Sequence, residues 1–122
     1  MSALRTVTVP TIDHGDVTLP EPSWCTGHDT ALPEYRSDIG HVGAEHVLTY
    51  AGIELGHAVL VQDPFVEHSG RDIRALVELG GNGLGLTPSE VDGLAAVLVD
   101  YAATLRHLAR QLSAIRAGGE GR

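Results

Sequence analysis

The chain has 122 residues, enough for one domain with a modest core, and it carries a net charge of −8 and a single cysteine. An acidic body repels phosphate backbones and disfavours nucleic-acid binding, one cysteine excludes an internal disulfide framework, and no apolar run of about 18 residues is present to span a membrane. The amino-terminal M-S-A-L-R-T-V-T-V-P lacks the apolar run of a signal peptide, so a cytoplasmic protein is expected.

The charge is unevenly spread. Residues 1–104 hold four Arg against fifteen acids, a net −11, whereas residues 105–122 hold four Arg against one acid, a net +3. Every basic residue is Arg and Asn82 is the only Asn, which reads as a GC-rich genome and carries no functional signal. Only five aromatics occur, Trp24, Tyr35, Tyr50, Phe65 and Tyr101, so the core must be mostly aliphatic.

Residues 4–9, L-R-T-V-T-V, alternate apolar and polar and predict a short strand ending at Pro10. Pro10, Pro20, Pro22 and the D-H-G turn make the next stretch an extended connection with a further short strand at 16–19. Residues 20–45 show neither helical nor strand periodicity, a length unusual for an unsupported loop in a compact domain. Trp24, Leu32, Tyr35, Ile39 and Val42 are interleaved there with Cys and His, a pattern that fits a metal cluster better than disorder. Residues 46–51 and 53–62 predict a hairpin turning at Ala51-Gly52, and 73–79 a half-buried strand.

Thr87-Pro88-Ser89-Glu90 is a capping box with Pro at the first helical position. Apolar residues follow at Val91, Leu94, Leu98, Tyr101, Leu105, Leu108, Leu112 and Ile115, which predicts one helix over 88–116, about 43 Å long. A six-residue strand spans only about 20 Å. The second half of the helix is therefore expected to overhang the sheet and to offer Leu105, Leu108, Leu112 and Ile115 to a second copy or a helical partner.

The chemistry sits in Cys25, His28, His41 and His46. Zinc takes thiolate and imidazole ligands in a tetrahedron, and two residues between Cys25 and His28 let a tight turn at Thr26-Gly27 present both side chains to one ion. His41 and His46 complete a set of four, with His14, Asp38 or a water as other candidates for the fourth place. The competing reading makes Cys25 a small buried hydrophobe. His14 reads as a turn residue, His57 as a strand-face histidine, and His68 and His107 as surface positions. A Cys25/His28 nucleophile pair lacks any evident oxyanion site or orienting group. No H-E-x-x-H, P-loop or G-x-S-x-G occurs, and G-G-N-G-L-G at 80–85 matches a glycine fingerprint only loosely.

P-S-W-C-T-G-H, then H-V-G-A-E-H, a strand pair ending in Q-D-P and L-T-P-S-E before an Ala/Leu-rich helix resemble a known family. It is a group of short, uncharacterised actinobacterial proteins, a domain of unknown function with a W-C-x-x-H motif, a downstream His and a C-terminal L-T-P-x-E helix. The resemblance runs from about Asp13 to Leu112 and matches Trp24, Cys25, His28 and His41 to its motif positions. It implies no activity.

The expected architecture is one α+β domain over residues 1–117: a small antiparallel sheet of about four strands, a zinc-stapled loop at 20–46, the long helix and a flexible tail at 118–122. The expected function is a non-enzymatic zinc-binding interaction module, homodimeric through the helix. Two alternatives stand beside it. One is a small zinc hydrolase using Cys25, His28, His41, a water and Glu45 as base. The other is a metal-free, helix-mediated adaptor.

Overall fold

The computed structural model describes residues 5–28, 32–67, 71–81 and 83–118; His68 and residues 119–122 of the expected tail lie outside them. The fold is α+β. Six strands, β1 (Arg5–Pro10), β2 (Asp16–Glu21), β3 (His41–Val42), β4 (His46–Tyr50), β5 (Ile53–Gln62) and β6 (Arg74–Leu79), precede one helix, α1 (Pro88–Gly118).

β1 and β2 form a two-stranded antiparallel hairpin, longer than the expected connection. The prolines read as breaks are accommodated because both strands of a two-stranded sheet are edges, where a missing N–H costs nothing. Pro10 stands opposite Asp16 and Pro20 opposite Thr6. Val9 and Leu19 pack with Ile39 in a small cluster flanked by Val7, Val17 and Phe65. Asp13 Oδ1 accepts the Arg36 N–H at 2.9 Å, and the Arg36 guanidinium lies 4.2 Å from the centroid of the Phe65 ring. The hairpin is thereby tied to the loop that follows it.

β5 is the spine of the second sheet. Its first half pairs with β4 and its last two residues with β3, while β6 pairs along Gly56–Val61. β3 and β4 therefore share one edge of β5, and β6 takes the other. The β4–β5 turn falls where the sequence placed it, with Ala51 at φ 52° and Gly52 at φ 77°. Two successive positive φ values match the right-handed twist of a tight hairpin.

α1 starts at the expected cap: the Thr87 N–H donates to Glu90 Oε1 at 2.9 Å, and the Glu90 N–H to Thr87 Oγ1 at 3.4 Å. Tyr50 Oη donates to the Glu90 carbonyl at 2.6 Å, and Tyr101 Oη to the His46 carbonyl at 3.0 Å. Near its C-terminal end, Arg116 Nη1 donates to the Ile73 carbonyl and meets Asp72 Oδ2, both at 3.0 Å. The helix is thus pinned to the sheet along its length.

The packing of α1 corrects the expected overhang. Leu108 is buried in a cluster with Trp24, Cys25, Ala58, Leu60 and Ile73, and Leu105, Leu112, Ile115 and Ala75 pack against it. The seam expected to face a partner packs against the chain's own core. Two features make room for it. Ten residues of β5 extend about 33 Å, and the Trp24-Cys25 segment prolongs the apolar floor beneath the second half of the helix. The outward apolar residues lie in the first half, at Val91, Leu98 and Val99.

Candidate metal centre

Three pieces of chain converge at the end of the main sheet. β2 delivers Glu21 as its last residue. The following turn is closed by the Cys25 N–H donating to the Pro22 carbonyl at 3.1 Å, and it carries Trp24, Cys25 and His28. β3 supplies His41, opposite Gln62 of β5. The Thr26 N–H and hydroxyl both donate to the Val42 carbonyl, at 2.9 and 3.1 Å, which stitches the turn to β3. Gly43 allows this approach, since a Cβ there would stand 3.2 Å from the Trp24 carbonyl oxygen.

The result is a compact group of Glu21, Cys25, His28 and His41, whose ligand atoms all lie within 4.8 Å of one another. His28 Nδ1 is 3.0 Å and His41 Nδ1 3.2 Å from the same oxygen, Glu21 Oε1. Ligands of a tetrahedral zinc, at bond lengths near 2.0–2.3 Å, stand about 3.3–3.7 Å apart. The group is also dry: His28 shows 8% of its side chain, Glu21 7% and His41 2%, and Cys25 is buried.

The hydrogen bonding points to a cation. Gly40 presents a carbonyl 2.9 Å from His28 Nε2, and a carbonyl only accepts, so Nε2 carries the proton. In the neutral ring Nδ1 then holds a lone pair, aimed at a carboxylate oxygen. Glu21 Oε1, His28 Nδ1 and His41 Nδ1 are buried without a hydrogen-bond partner. A carboxylate oxygen and the His28 lone pair converging beside a thiol are costly to bury unless a positive charge lies among them. The donor set, one sulfur, two nitrogens and one carboxylate oxygen, suits zinc. The Gly27 N–H, 3.5 Å from Cys25 Sγ, would support a thiolate.

Burial and mutual contact shift the ionisable groups of the cluster. Burial raises the Cys25 thiol, and its hydrogen bond to the Glu21 carboxylate raises it further. Burial pushes His41 down, against the pull of Glu21, so its imidazole favours the neutral, ligating form. Burial raises Glu21, but the Cys25 thiol and the two imidazoles outweigh it and hold the carboxyl below the usual range.

The structure therefore brings together Cys25, His28 and His41 and adds Glu21, which the sequence reading missed. His46 stands outside the group: it lies on β4 opposite Ala58, and its carbonyl accepts from Tyr101. Asp38 is in a 3-10 turn (Arg36–Asp38), and His14 pairs with Asp13 at 3.0 Å on the surface. Neither joins the cluster. Glu21 precedes Cys25 by four residues, flanked by Pro20 and Pro22. A carboxylate held between two prolines, upstream of the cysteine, was the one available signal.

Trp24 packs its ring edge-on to His41, 6.1 Å between centroids, and walls the site. Glu45, Glu54 and His57 form a second, more exposed group, in which His57 lies 3.8 Å from both Glu45 and Glu78; this is ordinary surface charge. Among the described residues no helix is long and apolar enough to cross a membrane. No curated protein and no solved structure matches the chain. Over residues 6–114 the chain matches the profile of a domain of unknown function (DUF6907), and it belongs to that family.

Proposed function

We infer that the domain is a non-enzymatic binding module stapled by one structural zinc ion at Glu21, Cys25, His28 and His41. The observation that carries this reading is the pair of imidazole Nδ1 atoms aimed at one buried carboxylate oxygen beside the only cysteine. Four protein ligands close a tetrahedron, and a closed site is the structural kind. Its ligands come from β2, from the turn after it and from β3, so one ion would tie the amino-terminal hairpin to the main sheet. Ligation of this type supplies on the order of 10 kcal/mol to folding. The hairpin's own small cluster, centred on Val9, Leu19 and Ile39, gives the ion a clear task. A reducing cytoplasm, which keeps the thiol free of disulfides, suits the site.

The hydrolase reading loses support on geometry. Glu21 stands where that reading needs water, and Glu45 groups with Glu54 and His57 instead. The metal-free adaptor reading offers no account of the buried acceptors.

The test is native mass spectrometry of untagged protein before and after a chelator. One zinc per chain, lost in Cys25→Ala together with protease resistance of residues 20–45, is the expected result. Metal-free protein with full protection of that stretch would overturn the reading.

A further inference from the structure

β6 is an edge strand. Among the described residues it pairs with β5 alone. The Gly80 N–H donates to the Leu55 carbonyl at 3.0 Å, which fixes the phase of the ladder. Hydrogen-bonded pairs recur every second residue in an antiparallel pair. By that phase Arg74, Leu76 and Glu78 turn their backbone groups toward β5, and Ala75, Val77 and Leu79 turn theirs outward.

Edges of this kind are commonly blunted by charged side chains, Lys above all, by Pro or by a bulge. β6 reads R-A-L-V-E-L, with no Lys, Pro or bulge, and its only charges are of opposite sign. Leu76, Val77 and Leu79 are exposed along it, at 45%, 44% and 64%. Its two charges, Arg74 and Glu78, lie two residues either side of Leu76 and on the same face of the sheet.

That spacing is self-complementary. Setting a second β6 antiparallel, with Leu76 opposite its own copy, places Arg74 opposite the partner's Glu78 and Glu78 opposite the partner's Arg74. Ala75 then meets the partner's Val77, and both are residues whose backbone groups point outward. Pattern of charge and phase of the ladder select the same register. A shift by two residues sets Leu76 against Glu78 and loses both ion pairs. The other long edge strand, β4, reads H-V-L-T-Y and has no such charge pattern to name an occupant.

We propose that two copies of this chain associate by antiparallel pairing of β6 with β6 about a two-fold axis at Leu76, joining their sheets into one. The surface is isologous, as closed dimers require. Main-chain hydrogen bonds and the Leu76 and Val77 side chains supply affinity, and the Arg74–Glu78 pairs set the register. A six-residue strand buries less than a standard interface of about 1,600 Å², so the dimer is reversible and concentration-dependent. The proposal uses no residue of the Glu21–His41 cluster and stands independently of the metal.

Sedimentation equilibrium on the full chain, from about 1 to 100 μM, tests it. Wild type should shift from monomer to dimer over this range. Arg74→Glu or Glu78→Arg alone puts like charges opposite each other twice and should weaken the dimer at least about tenfold. The double reversal restores the pairing and should recover most of the affinity, which also shows that the singles did not fail by misfolding. A wild-type monomer throughout, a dimer indifferent to either reversal, or a double reversal as weak as the singles overturns the proposal.

Discussion

His28 faces Glu21 with its lone-pair nitrogen: Nε2 is committed to the Gly40 carbonyl at 2.9 Å, leaving Nδ1 3.0 Å from the carboxylate oxygen Oε1. Two acceptors in contact, both buried, require a proton or a metal between them. Because His41 presents Nδ1 to the same oxygen at 3.2 Å, one ion could serve all three groups.

Glu21 and His46 separate the two possible ligand sets. Glu21→Gln keeps the volume and removes the charge. It should lower zinc affinity by at least the 10–100-fold seen when only a supporting contact of a metal ligand is lost. His46→Ala should leave affinity within about threefold, since that side chain lies outside the cluster. Competition titration with a chromophoric chelator reads both, and the reverse ranking would remove Glu21 from the site.

Zinc binding should release protons. Burial and the Glu21 carboxylate raise the Cys25 thiol, so it is protonated near neutral pH in the metal-free chain. Zinc binds the thiolate. Uptake should therefore expel at least one proton per chain, and affinity should rise with pH by about tenfold per unit for each proton released. Calorimetry in buffers of different ionisation enthalpy counts them. A count of zero would show that Cys25 is not a ligand.

Leu108 and Leu98 belong to the same apolar stripe of the helix but differ in burial. Leu108 is 3% exposed in the main core and Leu98 47% exposed. Leu108→Ala should cost about 2–5 kcal/mol in urea unfolding. Leu98→Ala should stay within about 0.5 kcal/mol. Equal effects would mean that the helix is not seated on the sheet as described.

The α1 cap carries a pH signature. Hydrogen bonds from Thr87, the backbone N–H first, hold the Glu90 carboxyl below its usual range. A folded value below the unfolded one gives stability that is present above the unfolded pKa and lost as pH falls through the folded one. Glu90→Gln should therefore lie furthest below wild type near neutral pH, and the gap should close as pH falls through the lowered folded pKa. Thr87→Ala, which removes the partner hydroxyl, should cost about 1 kcal/mol at neutral pH. A Glu90→Gln gap that widens on acidification would contradict the cap.

Much of this fold is local and was legible in the residues. The period-two runs at 46–51, 53–62 and 73–79 became β4, β5 and β6, and the turn formed at Ala51-Gly52. T-P-S-E opened the helix at Pro88, as a capping box should. The Cys25-x-x-His28 spacing and the downstream His41 placed three of the four clustered side chains. Apart from His41, the information lies within a few residues, where backbone geometry alone dictates which side chains share a face or a turn.

Only the tertiary structure decided the rest. Glu21 meets His41 because β2 ends beside β3, a proximity across twenty residues that the Glu21–Cys25 spacing alone does not encode. His46 fails to join because strand pairing commits it opposite Ala58. The Leu105-Leu108-Leu112-Ile115 seam looked like an interface because its periodicity is the same whether it meets a second copy or its own sheet. The Trp24-Cys25 turn, folded beneath that half of the helix, is what encloses it. Local propensity fixes the elements, but burial is a property of their assembly, and it was burial that chose the fourth member of the cluster and the inner face of the helix.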